Sequence, residues 1–162
     1  MNYRKKLLII LILLSILSLN ICTEYCLAVE EKNHIRIFVE KIYSNYGEHN
    51  FKYVYSKLHP AIQGILPEEK YVEFQQQNFK KYNFKITDYV VGKKVINVNI
   101  PQEFQEFISK KNEENIKKIT VSYHMEFINN GNKVERDHNK DVFIYLDKNK
   151  NLYLLWDPQI IE

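Results

Sequence analysis

The sequence predicts an α+β domain, with helices in its first half and an antiparallel sheet in its second. Three observations carry this. Up to residue 82 the apolar side chains recur at helical spacing. From Asn83 onward they alternate with polar ones, the period of a strand with one buried face. Between two of the alternating runs stands Asn129-Asn130-Gly131-Asn132, a hairpin turn signal that makes the neighbouring strands antiparallel.

The elements follow in order. Ile35, Phe38, Val39, Ile42 and Tyr46 form one helical stripe, with Asn33 as the expected N-cap and Gly47 as the stop. Phe51, Val54, Tyr55 and Leu58 mark a second short helix that Pro60 ends or kinks near Leu58–His59. A third begins near Pro67, where Glu68 and Glu69 suit the positive end of the helix dipole. Tyr71, Phe74, Phe79 and Tyr82 line it. In the sheet half, Phe84, Ile86 and Val90 share one face, and Asp88 falls in register with them. Val98 and Ile100 alternate with Asn97 and Asn99. Ile119, Val121, Tyr123, Met125 and Phe127 make the clearest strand. Val142, Ile144 and Leu146 follow, and Leu152 to Trp156 closes the sheet. The charged stretch from Pro101 to Lys118 reads as a long solvated connection. Phe143 and Tyr145, and Tyr153 and Leu155, make two regions apolar on both faces. That predicts a cover over the outer face, for which a second copy of the chain is the simplest candidate.

The N-terminus reads as an export signal. Arg4, Lys5 and Lys6 precede an apolar run from Leu7 to Leu19. Three versions remain open: cleavage after Ala28, retention of Leu7–Val29 as a membrane anchor, or lipidation of Cys22. The expected organisation is residues 1–28 as signal peptide and 29–162 as a single domain, working outside the cytoplasm. Both cysteines, Cys22 and Cys26, precede that cut, so the remaining domain would hold no disulfide and depend on its core alone. Residues 29–162 carry 20 basic and 19 acidic residues. That balance leaves no basic excess for nucleic acid or an anionic membrane. The abundance of Lys, Asn, Ile and Tyr fits an AT-rich genome.

No motif names a reaction. Four glycines in the whole chain leave no phosphate-binding loop. Glu135-Arg136-Asp137-His138 has Glu-x-x-His spacing, but on a strand or turn rather than the helix that would join the two ligands. Asp137-x-Asn139-x-Asp141 and Asp147-x-Asn149-x-Asn151 copy the opening of a calcium loop without its glycine and closing glutamate, and read as Asx-type turns. No metal or other cofactor is expected.

The helix order, the Asn50-Phe51 start of the second helix, the Phe74–Phe79 third helix and the closing strand at Trp156 resemble the nuclear transport factor 2-like superfamily. The resemblance covers about residues 34–158. It implies a strongly curved antiparallel sheet wrapped on the helices as a cone with a pocket. Trp156-Asp157-Pro158-Gln159-Ile160-Ile161 is similar to the end of the non-catalytic N-terminal domain of class B penicillin-binding proteins of the methicillin-resistance type. That likeness implies a helper or spacer role at the outer membrane face, not cell-wall catalysis. The expected pocket residues are Tyr55, Leu58, His59, Asp88, Tyr123 and Trp156. An inward Asp88 would be a desolvated carboxylate fit to act as a base. The leading expectation is a non-enzymatic binding or assembly module of a bacterial cell envelope. Its partner would be an envelope protein, or a second copy met through the outer sheet face, with a small apolar ligand as a further possibility. The alternative is a small-molecule-binding protein or enzyme using the pocket.

Overall fold

A computed structural model describes residue 26 and residues 29–108 and 115–161. The proposed signal segment and the tip of the Pro101–Lys118 connection lie outside these residues. The chain divides into two units, Met1–His34 and Ile35–Glu162; the fold is that of the second. Helices pack against one face of a four-stranded antiparallel meander, so the domain is α+β as its periodicities predict. No helix among the described residues is long and apolar enough to cross a membrane.

The first helix, α1, spans 29–47. Of the expected stripe it buries Ile35, Val39 and Ile42, leaves Phe38 and Tyr46 half-buried, and buries Tyr43 beside them; it stops at Gly47. Asn33 lies inside it rather than capping it. Helix α2, Phe51–Ser56, is capped by Asn50, whose side chain accepts from the Tyr53 N–H. Pro60 does more than end α2. It opens a helix the periodicity did not reveal, α3 (Pro60–Ile65), because a proline suits the first helical position. Helix α4, Glu68–Tyr82, buries Tyr71, Gln75 and Phe79 and ends on left-handed Asn83.

The sheet runs in the order β1 (Lys85–Asn97), β2 (Ile116–Asn129), β3 (Asn132–Leu146) and β4 (Leu152–Leu155). The β2–β3 hairpin pairs without a bulge from Ile116↔Tyr145 to Asn129↔Asn132. Asn130 and Gly131 at its tip both have positive φ, as a tight primed turn requires. Strand β4 gains a neighbour on its far side, where Leu154 N–H donates to Lys57 O at 2.7 Å and His59 N–H to Leu154 O at 3.0 Å.

Strand β1 departs from its sequence pattern. Ile86 pairs with Met125 and Asp88 with His124, so Thr87 is an extra residue. A bulge of one residue exchanges the two faces of everything after it. Tyr89 and Val91 therefore turn toward the helices, while Asp88 and Val90 face solvent, Val90 being 68% exposed. A second irregularity sets three residues, 92–94, against Thr120 alone. There a Cβ on Gly92 would stand 2.8 Å from the Thr120 carbonyl oxygen, a backbone atom that cannot swing aside. Gly92→Ala should cost about 1–3 kcal/mol. It should appear as a lower urea midpoint at unchanged slope.

The outer face of the sheet is not left bare. Phe104 (3% exposed) and Ile108 of the connection are buried in the core, and the Phe104 ring lies 5.9 Å from that of Phe143. His59 stacks edge-on to Tyr145 at 4.7 Å. The connection therefore opens with a short 3-10 turn, Gln102–Phe104, followed by a turn to Ile108, and its apolar side is buried rather than solvated. Within the outer apolar face, Phe143 is covered by Phe104. Beyond it, the outer face of β2 and β3 carries a polar ladder. Lys118 and Thr120 both donate to Asp141, Ser122 to Asn139, and Lys133 reaches Glu126 and Glu135.

Candidate functional site

A cavity of about 140 Å³ lies between the helices and the inner face of the sheet. Tyr43 and Tyr46 come from α1, Tyr71 from α4, Tyr123 from β2, Lys140 from β3, and Trp156 from just beyond β4. Phe84 and Ile86 close it on the β1 side. Each reaches it by the period of its own element. Tyr43 and Tyr46 sit one turn apart, and Tyr123 follows Ile119 and Val121 on the inward face.

The phenols form a packed group. The Tyr43 ring lies 5.8 Å from Tyr123 and 5.9 Å from Tyr89, and Tyr71 meets Trp156 edge-on at 5.1 Å. Burial pushes the Tyr43, Tyr46 and Tyr71 hydroxyls well above the ordinary phenol range, and their mutual proximity adds to the effect. Tyr46 donates to the buried Gln75 Oε1 at 2.5 Å. Gln75 lies near enough to Tyr71 to moderate its rise, but its oxygen is taken by Tyr46, and among the described residues no hydrogen bond to the Tyr71 hydroxyl is formed. Tyr71 is 0% exposed. A buried donor without a partner is costly, by roughly 1–3 kcal/mol, and rare enough in folded proteins to call for an explanation.

Lys140 is opposite Val121 and next but one to Val142, which places it on the inner face. It remains reachable from solvent, but surrounding protein strips water from its ammonium and lowers its pKa below the usual lysine value. Asp141 also borders the cavity, with its carboxylate turned to the outer face, where Lys118 and Thr120 donate to it.

Of the residues expected from sequence, Tyr123 and Trp156 line the cavity. The other four do not. The Tyr55 hydroxyl donates to Leu66 O at 2.9 Å and ties α2 to the end of α3. Leu58 is buried core. His59 caps α3, its Nδ1 accepting from Ala61 N–H at 3.2 Å, and burial lowers its pKa. Asp88 is exposed on the opposite face because of the bulge, so it is not an inward carboxylate. Asp157 likewise stays local, accepting from Gln159 N–H at 2.9 Å.

The calcium-like segments have other occupations. Asp147 accepts from Asn149 N–H and Asn151 N–H, both at 2.8 Å, an Asx turn. Asp137, Asn139 and Asp141 project to one face of β3, each bonded to β2. Glu135 and His138 fall on opposite faces of the strand, which separates the Glu-x-x-His pair. Among the described residues no three His, Cys, Asp or Glu side chains gather as a metal site.

The sequence matches no protein-family model and no curated protein.

Proposed function

We propose that this chain is a non-enzymatic binding domain of a bacterial cell envelope, exported from the cytoplasm, whose working part is the tyrosine-lined cavity. The observation that carries the reading is the buried Tyr71 hydroxyl, left without a partner in a cavity large enough for a small ring. The basic and apolar N-terminal segment supports the location, and the resemblance to the non-catalytic domain of penicillin-binding proteins supports a helper role there. Binding rather than turnover is favoured by what lines the cavity. Phenols held above their ordinary pKa stay protonated at neutral pH and cannot serve as bases. Asp88, the carboxylate expected as a base, faces solvent on the other side of the sheet, and His59 caps α3.

Trp156 is the only tryptophan in the chain and lines the cavity, so it reports on the site directly. Benzyl alcohol, a neutral ring-sized probe, should change the emission of the full-length protein saturably and raise its Tm as bound ligand stabilises the folded state. A strictly linear emission change with no rise in Tm would overturn the reading.

A further inference from the structure

Strand β3 carries an alternation that the fold turns into a separation of charge. From Glu135 to Asp141 the chain reads Glu-Arg-Asp-His-Asn-Lys-Asp. Because strand side chains alternate, Arg136, His138 and Lys140 all fall on the inner face and Glu135, Asp137 and Asp141 on the outer. The outer acids are matched by Lys133, His124 and Lys118. Among the described residues Arg136, His138 and Lys140 form no ion pair with a carboxylate. Arg136 lies over the Phe127 ring at 5.9 Å, His138 lies 5.6 Å from the Tyr123 ring, and Lys140 has no hydrogen bond or ion pair among the described residues. Nearby acids on other elements are also engaged or turned away. Glu40 of α1 pairs with Arg36, Glu126 with Lys133, and Asp88 faces solvent.

We propose that the cavity and the adjoining inner strip of β3 bind a small organic anion, its ring-sized body among the tyrosines and its carboxylate or phosphate on Lys140, with His138 and Arg136 next in line. This rests on the reading of the cavity as a binding site. About 140 Å³ is the scale of a cavity that accepts benzene. The unpartnered Tyr71 hydroxyl supplies a second donor for an oxygen of the ligand. The Lys140 ammonium at the cavity has no counter-ion among the described residues, and a bound anion would supply one through a charge-assisted hydrogen bond.

Benzoate, phenyl phosphate and benzyl alcohol present the same ring with and without charge. Titrated into the full-length protein with Trp156 emission as readout, the two anions should bind about tenfold more tightly than the alcohol, the effect of one charge-assisted hydrogen bond. Lys140→Met should abolish that preference and leave the alcohol unchanged. His138→Gln should reduce it while keeping the cavity wall. Equal binding of charged and neutral probes would overturn the anion assignment and leave the binding reading standing. A preference that survives both substitutions would overturn the assignment to β3. Failure of all three probes would overturn the binding reading, and this inference with it.

Discussion

Raising the pH above about 10 should unfold this domain steeply, because three buried phenols resist ionisation in the folded state only. In the unfolded chain Tyr43, Tyr46 and Tyr71 lose their protons near the ordinary phenol value of about 10. In the folded domain burial holds them protonated well beyond it. Between those values the unfolded chain binds fewer protons, so stability falls as pH rises. Each phenol contributes about 1.4 kcal/mol per pH unit and the three together about 4. A domain with roughly 5–15 kcal/mol in hand is exhausted within a few units. Lys140 acts with the opposite sign. Its folded pKa is lowered, so stability rises with pH between that value and the unfolded one, but by a single proton and no further than about 10.4. Urea melts in steps from about pH 9 to about pH 11 measure the net slope. Tyr43→Phe should remove about a third of the phenol slope. A stability that stays flat across this range would mean that the hydroxyls are not held from water.

What the sequence disclosed depended on how local each cause is. The α1 positions Ile35, Val39 and Ile42, the dipole-matched start of α4 and the Asn130-Gly131 turn are set within a few residues, and all three stand as read, while Phe38 and Tyr46 at the edges of the stripe are half-buried. Asp88 failed because face assignment along a strand holds only until the first bulge, and Thr87 carries no mark of one. The solvated reading of the Pro101–Lys118 connection failed because a charged segment can still bury apolar side chains, here Phe104 and Ile108. The cavity was half legible. Tyr123 and Trp156 follow strand patterns, but Tyr43, Tyr46 and Tyr71 look like ordinary core positions until α1 and α4 meet. Lys140 was missed although its signal was present. Acids and bases alternating from Glu135 to Asp141, placed on a strand, already require opposite charges on opposite faces.

Leu58, a pocket residue by its sequence pattern, belongs to the core instead. It is 1% exposed and sits where the helical half is sewn to the last strand, bridged in parallel to Leu154. The bonds on either side of it, Leu154 N–H to Lys57 O and His59 N–H to Leu154 O, hold the α2–α3 junction as a fifth line of pairing beside β4. Four residues of β4 alone make a short edge, and its register depends on that cover. Leu58→Ala removes buried methyl groups from a site whose backbone is pinned on both flanks, so the space can close only partly. The expected loss is about 2–5 kcal/mol. That is a large share of the 5–15 kcal/mol typical of a domain. Since Trp156 follows β4 directly, loosening this seam should also disturb the cavity. The Leu58→Ala protein should therefore show both a lower urea midpoint and weaker benzyl alcohol binding by Trp156 emission. Leu58→Met, which keeps most of the volume, should cost less than about 1.5 kcal/mol and leave binding in place. An alanine variant with an unchanged midpoint would show that the helices and β4 are joined by contacts other than this one.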